Sequence, residues 1–326
     1  MYPRRGSRLT DMPETSTPRH ADRLIDRGPC PICGSDDKRV HVAFADIPVM
    51  KCGSCGFIHS GRVLPDDALA EYYKRSFGSR RHMEGQIVNA TVNILALPKV
   101  LDMSRVKTVL DVGTGYGFLL PKLRDNYGVS CTGMEISAQE AEYARNTLRL
   151  NVVSRMIQES GLPEGAFDVA ACFEVIEHIA DPVPFVRHMA RHVKPGGHVL
   201  LMTDNFESAV VKRSGPRFTK WIPHSHVSDF APATIERCIH EAGGLEVSGR
   251  CSFTPWELIA QSWKHKLKGK ADPKDCFDLE ETLSTEMGGR LPMFRVRLAL
   301  NRYWFRLAAR RDLNGQLMFV AARKVK

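Results

Sequence analysis

Short apolar runs recur through the middle and end of the chain, and several of them stop at a glycine or an acidic residue. Runs of this length, bounded by turn residues, predict buried β-strands. The segment PKLRDNY at 121–127 lies between the first two runs and predicts a helix. We therefore expect strands in six stretches: 109–112, 128–135, 167–172, 193–203, 245–253 and 316–324.

Two other segments carry helical patterns. Residues 61–104 predict a helical linker or cap, in which Tyr72, Tyr73 and Phe77 recur at helix-like spacing. An insertion at about 255–313 separates the last two strands and contains the basic run WKHKLKGK and the helix-like PMFRVRLALNRYWFRLAARR. Three interpretations of this insertion stay open: a helical cap whose arginines are solvated or bind substrate phosphate, a helix on a membrane surface, and an RNA contact.

Length and composition narrow the class of protein. The chain has 326 residues and is 43% hydrophobic, which is enough to bury one large core and a small satellite domain. No stretch approaches the roughly eighteen consecutive apolar residues of a membrane span. Residues 1–27 are basic and polar, lack the apolar stretch of a secretory signal and predict a disordered tail. A net charge of +9 favours anionic partners without choosing between nucleic acid, phosphorylated small molecules and membranes.

Four of the nine cysteines form two C-x-x-C pairs separated by eighteen residues: Cys30, Cys33, Cys52 and Cys55. Two such pairs supply the four-sulfur tetrahedron that structural Zn²⁺ prefers, with no open position for catalysis. A redox dithiol needs only one pair, and the spacing matches no ferredoxin pattern. Residues 28–60 therefore predict a zinc ribbon stabilised by its metal, by about 10–16 kcal/mol in comparable peptides. The remaining cysteines are scattered, unlike a secreted disulfide framework, so we expect a cytoplasmic protein.

A glycine-rich bend follows the first apolar run, in the sequence VLDVGTGYGFLL. Its glycines alternate, unlike the G-x-G-x-x-G of dinucleotide-binding proteins, and no lysine followed by Ser or Thr forms a phosphate-binding loop. The bend suits a ligand that packs flat against the backbone and carries no pyrophosphate. Glu135 ends the second run, 24 residues beyond Asp111, near the spacing of a ribose-binding carboxylate.

The motifs VLDVGTGYG, GMEIS, FDVAACFEVIEHIADP and VKPGGHVLLMT resemble, in order and spacing, the class I S-adenosylmethionine-dependent methyltransferases over about residues 105–206. The preceding CPICGS, KCGSCGFIHSG and EYYKRSF resemble the zinc-ribbon leader of a bacterial subgroup associated with polysaccharide and small-molecule biosynthesis. HSHVSDFAPATIERCIHEAGGLEV resembles that subgroup's connection from the fifth strand to the sixth. The resemblance implies an α/β fold over residues 105–326, a Rossmann-like doubly wound sheet of seven strands in the order 3-2-1-4-5-7-6, with strand seven antiparallel.

The resemblance also implies a binding site for S-adenosylmethionine. The bend would let the backbone approach the methionine portion, Asp111 would lie near the amino group, and Glu135 would accept both ribose hydroxyls. Adenine is commonly bound by an aspartate after the third strand, and Gln158 is the expected substitute here. The complete set of expected cofactor residues is Asp111, Gly113, Thr114, Gly115, Tyr116, Gly117, Glu135, Ile136, Gln158, Glu159, Phe173 and Glu174.

Methyl transfer mainly requires the nucleophile, the methyl group and the leaving sulfur to lie in line, and a general base adds roughly 10²–10⁴-fold for a weakly acidic acceptor. Candidate bases are His178, His224 and His226, because histidine titrates near neutrality. We expect a small-molecule or glycan acceptor with oxygen or carbon as nucleophile, and a basic insertion able to contact a membrane surface. One alternative is an RNA methyltransferase that recognises its substrate through the ribbon. The sequence FEVI after strand four disfavours methylation of a nucleic-acid amine. A second alternative is a non-catalytic cofactor-binding scaffold.

Overall fold

The structure, a computed structural model, describes residues 20–65, 67–69, 71–72, 79–284 and 289–325. The predicted disordered tail ended at residue 27, and its first nineteen residues lie outside the described residues, as do Tyr73 and Phe77. Ile25–Asp26, however, forms a strand that pairs with Arg62–Val63. Backbone pairing thus begins within the predicted tail, whose boundary at residue 27 stays a prediction.

The strands fall into a large sheet and two small ones. In chain order they are β1 Ile25–Asp26, β2 Lys38–Val42, β3 Val49–Cys52, β4 Ile58–Ser60, β5 Arg62–Val63, β6 Thr108–Val112, β7 Ser130–Met134, β8 Val152–Val153, β9 Phe167–Phe173, β10 Val193–Asp204, β11 Ser228–Asp229, β12 Leu245–Phe253 and β13 Leu317–Lys324.

The α-helices connect these strands, and single 3-10 turns lie between several of them. The α-helices with complete bounds are α1 Arg80–Val100, α2 Leu119–Tyr127, α3 Ala138–Asn146, α4 Pro182–His192, α5 Ala209–Ser214, α6 Pro232–Ala242, α7 Trp256–Leu267, α8 Leu279–Ser284 and α9 Phe294–Ala308. Among the described residues, none of these helices combines the length and apolarity needed to cross a bilayer.

The large sheet has the order β8-β7-β6-β9-β10-β13-β12, and β13 runs antiparallel to both of its neighbours. This confirms the predicted order and the reversed seventh strand. The chain crosses from one half of the sheet to the other between β6 and β9, whose carboxyl ends therefore flank a crevice. In open α/β sheets, ligands bind in such a crevice at the switch in strand order.

Both faces of the sheet are covered, because successive residues of its central strands point to opposite sides. Leu110 and Cys172 pack with α4 and α6, whereas Val109 and Val169 pack with α1 and α2 on the other face. Phe57 of the cysteine-rich segment joins the first of these clusters. The small amino-terminal unit thus shares a core with the large sheet.

The cysteine-rich segment forms the antiparallel sheet β2-β3-β4, and β11 from the larger unit adds a fourth strand beside β4. Ser228 pairs with His59 and Asp229 with Ile58. The segment between β12 and β13 contains α7, α8 and α9, and α9 packs on α1. The insertion therefore lies against the helix that precedes the first strand of the large sheet.

Candidate active site

The glycine-rich bend follows β6 and opens α2. Gly113, Gly115 and Gly117 have φ values of 75°, 57° and 82°, a region that side chains with a Cβ rarely adopt. A Cβ would also overlap Val175 at Gly113 and Gln86 at Gly115. The bend therefore brings bare backbone to the carboxyl edge of the sheet, in the place where a flat ligand can pack against it.

Glu135 follows β7 and faces this bend. Its Oε2 accepts a hydrogen bond from the Gly115 amide at 2.8 Å, and its Oε1 accepts one from the Ser137 amide at 2.7 Å. The side chain is 7% exposed, and burial, with the nearby Glu140 carboxylate, raises the pKa of Glu135 to about 7. A carboxylate offers about four lone-pair directions, so two remain for a ligand diol.

Asp111 lies in β6, just before the bend. It is 3% exposed, and its Oδ2 accepts a hydrogen bond from the Thr114 hydroxyl at 2.8 Å. Burial raises the pKa of Asp111 to about 6, which the hydrogen bond from Thr114 opposes. Tyr116 is buried with its ring edge-on to Tyr143 at 5.1 Å, so this side chain helps to pack the bend.

Helix α1 covers the bend with polar side chains that the sequence analysis did not select. The Gln86 Oε1 atom accepts a hydrogen bond from the Tyr116 amide at 2.9 Å, and Gln86 Nε2 donates to Glu140 at 2.9 Å. One turn further along, Asn89 Nδ2 donates to Glu174 Oε2. His82, Gln86 and Asn89 recur at i, i+4 and i+7 and so lie on one face of the helix.

A buried ion cluster lies where β9 and β10 end. Lys220 Nζ is 2.7 Å from Glu174 Oε1 and 2.9 Å from Asp204 Oδ2. Burial alone would lower the pKa of Lys220, but the two carboxylates together raise it above its usual value. Burial would likewise raise the pKa of Glu174, and Lys220 brings it below its usual value. Lys220 was missed by the sequence analysis, since nothing in KWIPHSH marks it as buried.

Two of the three candidate bases meet next to this cluster. The rings of His178 and His226 are edge-on with centroids 4.8 Å apart, and both lie within 4.8 Å of the Glu177 carboxylate. His178 Nδ1 lies 3.0 Å from the Ser225 carbonyl, to which it donates. Burial lowers the pKa of His178 to about 4 and that of His226 well below its usual value, so both rings are neutral at pH 7.

His226 Nδ1 is buried and has no hydrogen-bond partner among the described residues. In the tautomer that carries the proton on Nε2, the lone pair lies on this Nδ1 atom. Glu177 contributes a second such atom, because its Oε2 accepts from Thr203 at 3.0 Å and its Oε1 is unpartnered within the described part of the chain.

The third candidate base, His224, is placed differently. Its ring is fully buried between Tyr72, edge-on at 4.5 Å, and Phe277, stacked at 5.7 Å. Burial lowers the pKa of His224 to about 3. It lies within an aromatic cluster, outside the group formed by Glu177, His178 and His226.

Other expected cofactor residues lie around the edge of the crevice. Ile136 is 62% exposed, and Gln158 and Glu159 are exposed on the 3-10 turn after β8. Phe173 packs towards the apolar cluster under α1. The structure thus brings Gly115, Glu135 and the end of β9 together, whereas the adenine contact stays a prediction.

The amino-terminal ribbon builds one wall of this site. Ser60 Oγ donates to the Pro223 carbonyl at 2.6 Å, and the Ser60 amide donates to Val227 at 3.2 Å. Arg27 donates to the carbonyls of Val227 and Ala180. The loop that carries His224 and His226 is therefore held from the ribbon side.

The four paired cysteines converge in the ribbon. Their sulfurs lie within 4.8 Å of one another, with Cys30–Cys55 at 3.5 Å and Cys33–Cys52 at 3.6 Å, and none forms a disulfide. Metal–sulfur bonds of about 2.3 Å in a tetrahedron place the sulfurs about 3.8 Å apart. The donor set and its spacing fit a Zn²⁺ ion.

The comparisons with known proteins agree with this geometry. A sequence profile of the family described as "Methyltransferase domain" matches residues 80–247, just over half of the chain. A seven-stranded sheet of this order with a glycine bend and a buried acid after the second strand defines the class I methyltransferase fold. The chain belongs to the methyltransferase-domain family.

Relatives include the ubiquinone biosynthesis O-methyltransferase of Cronobacter sakazakii, 38% identical over 105 residues that cover 30% of this chain and 43% of the relative. The enzyme of the same name from Vibrio parahaemolyticus is 31% identical over 153 residues, 43% of this chain and 65% of the relative. The match thus spans less than two thirds of either relative. A solved methyltransferase from Thermotoga maritima, described as a possible histamine N-methyltransferase, superposes with a TM-score of 0.47 at 15% identity, covering 78% of this chain and 91% of that one.

Proposed function

We propose that the protein transfers a methyl group from S-adenosylmethionine to a hydroxyl oxygen of a small-molecule or glycan acceptor. The observation that carries this proposal is the meeting, at one edge of the sheet, of a bare glycine bend, the buried Glu135 carboxylate and the neutral His226 ring. Bound S-adenosylmethionine would supply an electrophilic methyl group on a positively charged sulfur. The bend and Glu135 would hold it, with the Glu135 oxygens on the ribose hydroxyls.

His226 is the general base of the proposed reaction. Its Nδ1 carries the lone pair, and a depressed pKa keeps the ring neutral and able to accept the hydroxyl proton at pH 7. His226 Nδ1 would take the proton of the acceptor hydroxyl, whose oxygen would receive the methyl group that bound S-adenosylmethionine would supply, with S-adenosylhomocysteine as the other product. The adjacent Glu177 carboxyl group, within 4.8 Å, would stabilise the imidazolium while it persists.

The polarity of the site supports an acceptor that carries hydroxyl groups. Glu177 Oε1 and His226 Nδ1 are buried without partners among the described residues. Leaving such atoms unpaired costs about 1–3 kcal/mol each, so an acceptor that hydrogen-bonds to them is favoured over an apolar one. The relatives named O-methyltransferases support oxygen as the nucleophile.

We also propose that the ribbon binds one structural Zn²⁺ through Cys30, Cys33, Cys52 and Cys55. The ion would hold the two cysteine turns together, and through β4 it would stabilise the pairing of Ile58–Ser60 with Ser228–Asp229. Because that pairing and Ser60 hold the loop carrying His226, removing the metal should lower turnover more than cofactor affinity.

The proposal is tested by incubating the protein with methyl-labelled S-adenosylmethionine and a panel of catechols, simple glycosides, nucleotide sugars and RNA. We expect label in at least one hydroxylated acceptor and its loss in His226→Ala. His188→Ala, on the outer side of α4 and beside Arg191, is the matched control and should retain turnover. Label in RNA alone would contradict the acceptor class, and equal turnover of the two variants would dismiss His226 as the base.

A further inference from the structure

Helix α9 carries an apolar stripe that faces solvent. Val296, Leu300, Tyr303 and Leu307 recur at i, i+4, i+7 and i+11 and are 43%, 43%, 63% and 63% exposed. Residues at these intervals lie on one side of a helix. The stripe is therefore a continuous apolar surface about three turns long, whereas scattered exposed apolar residues would need no explanation.

The opposite side of α9 is already used by the fold. Phe305 is buried against Phe253 with ring centroids 5.0 Å apart, Trp304 Nε1 donates to the Thr254 carbonyl at 3.0 Å, and Asn301 donates to Glu257 at 2.7 Å. These contacts fix the rotation of the helix. The apolar stripe therefore stays exposed at the surface, because the opposite face of the helix packs on the rest of the protein.

A row of arginines runs beside the stripe. Arg295, Arg302 and Arg306 are exposed along α9, and within the described residues no carboxylate lies at ion-pair distance from them. Residues 289–311 contain seven arginines and no acidic residue. The helix thus offers an apolar stripe and a flanking cationic row, the arrangement of helices that lie in the plane of a membrane interface.

We propose that α9 docks onto an anionic lipid surface, with Val296, Leu300, Tyr303 and Leu307 inserted between the headgroups and the arginines on the lipid phosphates. Arginine stems lie along apolar surface while their guanidinium groups reach the headgroup level. The surface is separate from the proposed active site. Leu291, just before α9, nevertheless donates its amide to Glu84 of α1 at 2.8 Å, so the docking helix contacts the helix that covers the cofactor bend.

Two other occupants fit the surface less well. A second copy joined by a two-fold axis through the stripe would bring two arginine rows side by side, and like charges there repel. RNA would pair with the arginines and could stack one base on Tyr303, but Val296, Leu300 and Leu307 would stay without a matching partner. An anionic membrane satisfies both the apolar stripe and the charged row.

The experiment is co-sedimentation of the full-length protein with vesicles of phosphatidylcholine alone or mixed with phosphatidylglycerol. We expect binding to the anionic vesicles only, weakened by salt, which shortens the Debye length to about 3 Å at 1 M. Each basic residue near the surface contributes roughly fivefold, so Arg295→Gln/Arg302→Gln/Arg306→Gln should weaken binding on the order of 100-fold. Leu300→Ser/Leu307→Ser should weaken it at least about tenfold.

Matched controls are available elsewhere on the surface. Ile25→Ser/Val40→Ser removes apolar side chains that are 54% and 55% exposed, and Arg105→Gln/Arg124→Gln removes arginines that are 87% and 65% exposed. Both controls should bind vesicles within about twofold of the unmodified protein. Unchanged thermal unfolding and unchanged S-adenosylhomocysteine affinity would show that each variant is folded.

Vesicle binding is measured without turnover, so its outcome is independent of the proposed reaction. The proposal is overturned if the unmodified protein ignores anionic vesicles, or if the Leu300→Ser/Leu307→Ser variant binds them as well as the controls do. It is also overturned if sedimentation velocity shows that the unmodified protein is a dimer and that this variant is a monomer. A gel shift with RNA that the arginine variant abolishes, without any vesicle binding, would assign the surface to RNA and contradict it.

Discussion

Replacing Lys220 by methionine should destabilise the protein strongly, because Lys220 is the only cation in the described structure that contacts both the fully buried Asp204 and the partly buried Glu174. Lys220 Nζ lies 2.7 Å from Glu174 and 2.9 Å from Asp204, and Asp204 is fully buried. Methionine keeps most of the lysine stem, so little packing is lost. Removing one partner of a buried ion pair costs about 3–5 kcal/mol of unfolding free energy. Most of this cost arises because the remaining charge is left buried without a partner.

The expected loss depends on pH in a defined direction. Burial acts to raise the pKa of Glu174, and Lys220 now brings it below its usual value. Without Lys220, the pKa of Glu174 should rise above its value in the unfolded chain. The folded variant then binds more protons than the unfolded one, so its stability falls as pH rises above about 4.5. The penalty should therefore be smaller near about pH 5 than near about pH 8.

Urea unfolding of the two proteins at both pH values measures this penalty. Lys194→Met is the matched control, since Lys194 is 2.7 Å from Asp168 but 42% exposed, and it should cost less than about 1 kcal/mol. A Lys220→Met penalty below about 1 kcal/mol, or one that is equal at both pH values, would refute the view that Lys220 compensates buried charge.

Three further predictions concern the site. His226→Ala should lower turnover about 100-fold or more, while the affinity for S-adenosylhomocysteine changes less than about twofold. His178→Ala should have a smaller effect on turnover. A larger effect of His178→Ala would assign the base to His178. Cys33→Ser should release bound zinc, measured by metal analysis, and lower the unfolding temperature, whereas a zinc-free protein of unchanged stability would contradict the ribbon assignment. Gly115→Ala places a Cβ against the Gln86 side-chain amide, at a residue with positive φ. Calorimetry should show cofactor binding weakened more than about tenfold. Unchanged affinity would show that the bend does not contact the ligand.

The sequence was sufficient for six of the seven strands of the large sheet because each of them is a local signal, whereas the two-residue strand β8 was not predicted. LEVSGRCSF was predicted as the sixth strand and forms β12 over Leu245–Phe253, and the seventh begins one residue later than expected, at Leu317. The order of the strands came from the resemblance carried by the motifs and is confirmed by the pairing of β13 with β10 and β12.

The contacts that complete the site could not be predicted in the same way. Gln86, Asn89 and Lys220 are ordinary polar residues in the sequence, and only long-range packing makes them partly buried partners of Glu174 and of the bend. Likewise, β11 has two residues and no periodic pattern, so its pairing with the ribbon had no sequence signal. Tertiary structure decides which polar groups are buried. Functional sites are therefore the places where predictions from local sequence patterns are expected to fail.

Isothermal titration of the full-length protein with S-adenosylhomocysteine tests the central claim most directly. We predict one binding site per chain, with affinity reduced at least about tenfold in Glu135→Ala, because a charge-assisted hydrogen bond is worth about 1.5–3 kcal/mol. Glu246→Ala, exposed at the start of the edge strand β12, should bind as the unmodified protein does. No heat of binding, or equal affinities for the Glu135 and Glu246 variants, would contradict the assignment of this crevice as the cofactor site.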